Sequence, residues 1–215
     1  MSPACRLAVL GSTGGTGRLL VAGALRRGHP VSALARRPDE LAIRHPGLRT
    51  VAGDVLAAGS CEQLVAGAGA VISALGIGMH RHATTVYSAG TGNLLRAMAA
   101  GMPRRLIVVS TAALQPPSPR RPAEWLVSQL LLHPLLRKPY ADMAAMERLV
   151  RHSQTDWTIV RPGRLTDGPA TGKFRTAVDA KLPGCWSISR ADLSEYLLDL
   201  VSDSTSFGRV VEIAR

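Results

Sequence analysis

The opening turn constrains this chain more than any other feature. Leu7-Ala8-Val9-Leu10 is a short apolar run that passes directly into Gly11-Ser12-Thr13-Gly14-Gly15-Thr16-Gly17, and a helical pattern begins at Arg18-Leu19-Leu20. Gly11, Gly14 and Gly17 stand in a G-x-x-G-x-x-G spacing, and each position has a physical use. Gly11 permits a tight turn, Gly14 lets the backbone approach a phosphate without a Cβ in the way, and Gly17 lets the new helix pack close to the strand. The helix start then offers free N–H groups and a partial positive charge to an anion. Gly-rich turns are common in α/β folds, so the strand before this one and the helix after it carry the reading. The spacing predicts a dinucleotide pyrophosphate site lined by Gly11, Ser12, Thr13, Gly14, Gly15 and Thr16.

The rest of the chain keeps the same rhythm. Strands are predicted over 31–35, 49–55, 70–75, 105–110, 157–161 and 210–214, with a short one within 173–180. Helices are predicted over 15–27, from Ser60, over 85–100, over 140–152 and from Ser189 to about 201, with Ser60 and Ser189 as caps. The stretch Ala70-Val71-Ile72-Ser73-Ala74-Leu75 is nearly all apolar, as a parallel strand covered on both faces requires. Strands alternating with helices predict an α/β fold: one doubly wound parallel sheet, with ligands at the carboxyl ends of the strands. The rhythm breaks at the proline-rich Gln115-Pro116-Pro117-Ser118-Pro119-Arg120-Arg121-Pro122. An apolar run over 125–132 follows, and His133-Pro134 interrupts it. No linker divides the 215 residues, so a single domain over 1–215 is expected, with the part from about 115 onward contributing the substrate site.

Composition narrows the function classes. A chain of this size buries roughly 70% of its unfolded surface, and no apolar run reaches the ~18 residues of a membrane span. No separate apolar leader precedes the first strand, which speaks against a secretory signal. Cys5, Cys61 and Cys185 are scattered, so reduced thiols and a cytoplasmic setting are expected. The formal charge is +11, yet the basic residues are spread along the chain, only three of the 26 are lysines, and aromatics make up 4%. Such a field attracts phosphorylated cofactors or anionic substrates, and neither nucleic acid nor membrane is an expected partner. Gly78-Met79-His80-Arg81-His82 holds two histidines at i, i+2 without carboxylate or Cys company, so no metal site is assigned.

The end of the second predicted strand bears on the choice of cofactor. NAD sites place Asp or Glu there for the ribose hydroxyls, whereas this chain has Arg36-Arg37, cationic forks suited to a 2′-phosphate. NADP(H) is therefore the expected cofactor. Gly53-Asp54-Val55 ends the third strand where an adenine would lie. Asp54 either accepts a hydrogen bond from the exocyclic amine or closes an Asx turn. Ala74-Leu75-Gly76 ends the fourth strand with small residues beside the expected diphosphate path.

The glycine turn, Arg36, Gly53-Asp54-Val55, Ala74-Leu75-Gly76, Thr84-Thr85-Val86-Tyr87-Ser88 and Arg161-Pro162-Gly163-Arg164-Leu165-Thr166-Asp167 together resemble the atypical short-chain dehydrogenase/reductase group. The chain is similar to its NAD(P)H-binding members of the NmrA-like and biliverdin reductase B, or flavin reductase, type. The resemblance covers nearly the whole chain. It implies a Rossmann-like single domain, with NADPH extended across the strand ends and a shallow substrate site above the nicotinamide.

By that resemblance, Ser110 and Thr111 sit beside the nicotinamide and the substrate, where a hydroxyl bonds a carbonyl oxygen, orients the carboxamide or merely caps a turn. Pro162, Gly163 and Leu165 pass the nicotinamide face. Arg164 replaces a histidine of the biliverdin reductase B pattern and is expected to hold an anionic or electron-rich substrate. Standard dehydrogenases of this superfamily use Tyr-x-x-x-Lys, but here Tyr140-Ala141-Asp142-Met143-Ala144 lacks the lysine. Tyr140 is then either a proton donor or a structural phenol. The expected activity is hydride transfer from NADPH to a planar conjugated small-molecule acceptor, a flavin, quinone or enone, by a monomer or homodimer. A tailoring reductase or isomerase and a non-catalytic NADP(H)-binding redox sensor are the alternatives.

Overall fold

The computed structural model describes residues 4–78, 84–100, 103–115 and 133–215. Its centre is an eight-stranded sheet of order β3-β2-β1-β4-β5-β6-β10-β8. The first five strands are β1 (Leu7–Leu10), β2 (Val31–Ala35), β3 (Leu48–Ala52), β4 (Ala70–Ser73) and β5 (Arg105–Val109). The others of this sheet are β6 (Asp156–Pro162), β8 (Arg175–Val178) and β10 (Arg209–Ala214). All neighbours are parallel except β8, which runs antiparallel along β10. The strand order reverses between β1 and β4, and that is where a doubly wound sheet opens a crevice at its carboxyl edge.

Alternation along the strands builds two cores. Leu7, Val9 and Ile72 face α1 (Gly15–Arg26) and α5 (Arg190–Asp199), packing with Leu20, Val21, Leu193 and Leu197. Ala8, Leu10 and Val71 face α2 (Ser60–Val65), α3 (Val86–Ala99) and α4 (His133–Arg151), packing with Leu64, Leu94 and Met146. Every residue of β1 is 0% exposed, as a central parallel strand between two helical layers must be. Among the described residues, no helix is long and apolar enough to cross a membrane.

Some sequence expectations need correction. Ser60 does not cap α2: Gly59, in the left-handed conformation, precedes the helix and Ser60 is its first residue. Ser189 does cap α5, its oxygen accepting from Asp192 N–H. The third strand stops at Ala52, because Gly53-Asp54-Val55 turns away from the sheet. A second, two-stranded parallel sheet of β7 (Arg164–Thr166) and β9 (Ser187–Ser189) was not anticipated, since three-residue strands leave too little pattern to see. α4 begins at His133, earlier than the start at Tyr140 that the sequence predicts, and runs through Pro139. An interior proline costs about 3 kcal/mol, and the downstream anchors Met146 and Val150, both fully buried, hold the helix through it. The apolar run over 125–132, the proline stretch beyond Gln115 and the His80/His82 pair lie outside the described residues.

Candidate functional site

A cleft of about 860 Å³ lies along the carboxyl ends of β2, β3, β1, β4 and β5. Its floor is the turn between β1 and α1. Gly11 has φ +72°, and a Cβ there would meet the Ala74 carbonyl oxygen at 2.2 Å. A Cβ on Gly17 would meet the Gly11 oxygen at 2.0 Å, whereas one on Gly14 would come no closer than 3.3 Å to any neighbour. The first and third glycines are thus fixed by packing, and the second leaves the backbone open to the cleft. Gly14 caps α1 without a side-chain acceptor and no acidic residue stands in the first turn, so its N–H groups and positive helix end remain available to an anion.

One end of the cleft lies where β2 and β3 finish. Arg36 lines the cleft and makes no ion pair or hydrogen bond among the described residues. Arg37, expected beside it, is turned outward onto Glu40 at 2.8 Å with its side chain 74% exposed. Asp54 lines the cleft too, but its Oδ1 accepts the Leu56 N–H at 2.9 Å, the Asx-turn alternative. Ser12 turns the other way: its buried hydroxyl donates to the Leu34 carbonyl at 2.7 Å and ties the turn to β2. Thr13, Gly15, Thr16, Val55, Ala74, Leu75 and Gly76 also line the cleft.

At the far end, Ser110 follows β5 and is 4% exposed. Its hydroxyl donates to Glu147 Oε1 at 2.7 Å. The same carboxylate accepts Arg161 Nε at 2.8 Å and Nη2 at 2.6 Å, a bidentate pair closed off from solvent. With its proton committed to Glu147, Ser110 presents lone pairs to the cleft and can accept from an amide N–H. Thr111 instead caps a short 3-10 turn, accepting from Ala113 N–H at 3.3 Å.

Of the remaining expected residues, Tyr140, Pro162, Gly163 and Arg164 do not line the cleft. Tyr140 is half-buried on α4, and burial pushes its phenol above its ordinary pKa. That is the reverse of what the absent lysine would do, and it keeps the phenol protonated at neutral pH. Pro162 is buried at the end of β6, and Gly163 passes under the Trp186 backbone, where a Cβ would lie 2.8 Å from its carbonyl carbon. Arg164 is exposed on β7, while Leu165 turns into the cleft.

Met143 and Arg190 are among the lining residues that the sequence reading does not assign to the site. Met143 lies one turn after Tyr140 on α4, and helical spacing from Tyr140 was the available signal. Arg190 is the first residue of α5, hidden behind its Ser189 cap, and nothing in the local pattern marks it. Asp142 of α4 holds the wall of the cleft: it accepts the N–H groups of Tyr87 and Ser88 at 3.0 and 3.2 Å and so caps α3. Among the described residues no group of three or more His, Cys, Asp or Glu could hold a metal ion. A second cavity, about 340 Å³, lies on the β10 side of α4 between Arg151, Arg161, Lys181 and Glu212, away from the glycine turn.

Solved structures share this architecture. An oxidoreductase from Lactococcus lactis superposes with a TM-score of 0.79 at 22% identity, covering 98% of this chain and 90% of its own. A short-chain dehydrogenase/reductase from Veillonella parvula, solved in complex with NADP, gives 0.80 at 18% identity, with 98% and 94% covered. A Streptococcus pneumoniae protein described as an NADH-flavin reductase gives 0.78 at 21% identity, with 99% and 100% covered. At these identities the likeness establishes the Rossmann-like fold. The sequence profile of the NAD(P)H-binding family matches residues 11–204, which span the glycine turn, the cleft and the whole of α5, and the chain belongs to that family.

Proposed function

We propose that this protein is an NADPH-dependent oxidoreductase that reduces a planar conjugated acceptor such as a flavin, quinone or enone. The observation that carries the reading is the contrast between the two ends of the cleft. Arg36, a cation without a partner among the described residues, stands at the adenosine end. Ser110, committed as a donor to Glu147, stands at the other. Arg36 would take the 2′-phosphate, whose charge a guanidinium fork matches better than a ribose hydroxyl does. The N–H groups of the glycine turn would take the pyrophosphate, and the lone pairs of Ser110 would accept from the carboxamide and fix the ring plane. When bound, the nicotinamide supplies the hydride, and the protein's share is binding and orientation.

The sequence has Ala144 where a Tyr-x-x-x-Lys motif starting at Tyr140 would have its lysine, and burial pushes the Tyr140 phenol above its ordinary pKa. An alcohol–ketone interconversion needs a group that trades a proton at the reacting oxygen. An electron-poor conjugated ring needs less help, because solvent can protonate the reduced product. The reading places the protein in the cytoplasm with a small-molecule substrate and no nucleic-acid partner, as a monomer or homodimer.

The test is NADPH oxidation by the purified protein over a panel of free flavins, quinones and enones, beside an Arg36→Ala variant. Turnover that in the variant demands roughly ten times more NADPH, for the loss of one phosphate clamp, supports the reading. Bound NADPH with no turnover on any acceptor overturns the reductase and leaves a cofactor-dependent sensor. Turnover confined to one acceptor with a defined product favours a tailoring enzyme.

A further inference from the structure

The glycine turn is overlaid by a side chain from the other end of the chain. Arg190 opens α5, and its stem lies on the first turn of α1. A Cβ built on Gly15 would stand 2.8 Å from Arg190 Cδ and 3.0 Å from its Nε. Gly15 is therefore small for the sake of Arg190, not only for a phosphate. The guanidinium reaches beyond the turn, where Nη1 donates to Asp167 Oδ1 at 2.5 Å, and the residue lines the cleft.

This ion pair is lopsided. The Arg190 side chain is 28% exposed and that of Asp167 is 90% exposed. A solvated carboxylate is screened and contributes little. The backbone that carries the arginine, by contrast, is fixed. Ser189 caps α5, and the Asp192 carboxylate accepts the N–H groups of Thr171 and Gly172 at 2.7 and 2.8 Å. A cation thus stands over an uncapped helix start that carries no acidic residue, with only a weak and exposed partner for its charge.

Resting on the dinucleotide reading of the cleft, we propose that Arg190 is a pyrophosphate clamp with Asp167 as its resting counter-ion. On binding, the guanidinium exchanges the Asp167 carboxylate for pyrophosphate oxygens. It donates charge-assisted hydrogen bonds from above while the glycine turn donates its N–H groups from below. The exchange makes cofactor affinity depend on two residues, one favouring binding and one competing with it.

The test measures binding of NADPH and of adenosine 2′-monophosphate, which carries the 2′-phosphate and no pyrophosphate, to the full chain. Arg190→Met keeps the stem that packs on Gly15 and removes the charge. It is expected to weaken NADPH about tenfold to thirtyfold, the loss of one bidentate charge-assisted contact, and to leave the monophosphate unchanged. Arg190→Lys recovers part of the loss, and Asp167→Asn tightens NADPH about two- to fivefold by removing the competitor. Arg36→Ala weakens both ligands and so reports separately on the nucleotide site.

If Arg190→Met binds NADPH as the wild type does, or weakens both ligands equally with a lowered Tm, the clamp is wrong while the nucleotide site stands. An Asp167→Asn protein with unchanged affinity overturns the exchange. A wild-type chain that binds neither ligand overturns both the site and the clamp.

Discussion

Ser110 Oγ lies 2.7 Å from Glu147 Oε1, and that oxygen also takes the Arg161 Nε hydrogen bond at 2.8 Å. The carboxylate therefore cannot release Ser110 to another acceptor without leaving part of its own charge unmatched. A Ser110 hydroxyl so held acts as an acceptor toward the cleft. If its task is to fix the carboxamide, Ser110→Ala raises the NADPH requirement and lowers turnover, about tenfold in kcat/KM for one lost orienting hydrogen bond. Tyr140→Phe, by contrast, stays within about threefold, far from the 10²–10⁴ that removal of a proton-transfer group costs. Steady-state rates on one acceptor check both, and a hundredfold loss in Tyr140→Phe returns the phenol to the chemistry.

The Glu147–Arg161 pair is buried on both sides, with side chains 5% and 8% exposed. Removing Glu147 strands Arg161 away from water, so Glu147→Leu is expected to cost about 3–5 kcal/mol, whereas Arg161→Met leaves Glu147 the more distant, exposed Arg151 at 3.7 Å and is expected to cost less. The double substitution strands neither charge and should be at least 1 kcal/mol more stable than the worse single variant. Urea unfolding of the four proteins tests this. Simple additivity would mean that the two side chains are not coupled as their geometry requires.

What the sequence disclosed and what it withheld follow from range. The strand–turn–helix at Gly11–Gly17 is local chemistry, where spacing alone specifies the turn. Strands such as Ala70–Ser73 are apolar on both faces for the same legible reason. The expected site residues that line the cleft sit within a few positions of a strand end. Arg36 and Arg37 were indistinguishable in sequence because Glu40 decides between them, and a pairing at i, i+3 in a 3-10 turn (Pro38–Leu41) has no helical pattern to announce it. Ser12 looked like a pyrophosphate ligand until β2 supplied its acceptor. Arg190 lies 175 positions from Gly15, and no local pattern can report a contact closed only by α5 packing on α1.

The glycines of the turn separate by what faces them. A Cβ at Gly17 meets backbone of Gly11 and Ser12, which cannot move without opening the turn, whereas a Cβ at Gly15 meets only the flexible Arg190 side chain. Gly17→Ala is expected to cost about 2–4 kcal/mol and to abolish cofactor binding. Gly15→Ala should keep the Tm within a few degrees, because the arginine can swing aside. Thermal melts paired with NADPH titration distinguish the two, and a Gly15→Ala protein as unstable as Gly17→Ala would mean that Arg190 is not free to yield.

Asp192 supplies a pH dependence. Its carboxyl is 3% exposed, and burial pushes its pKa up, but the N–H groups of Gly172 and Thr171 and the hydroxyls of Ser189 and Thr171 outweigh this and hold it below the ordinary carboxylate range. The folded state thus prefers the charged form more than the unfolded chain does. The stability it contributes is fully present above the unfolded value of about 3.9 and is lost as pH falls through the depressed folded value. Asp192→Asn keeps the shape, cannot ionise and leaves one acceptor where there were two. At pH 7 it is expected to be less stable by about 1–3 kcal/mol, and its Tm should fall less steeply than the wild type between about pH 4 and pH 2. Parallel Tm–pH curves for the two proteins would mean that other carboxylates govern the acid limb and that the loop at Thr171–Gly172 is not held by this charge.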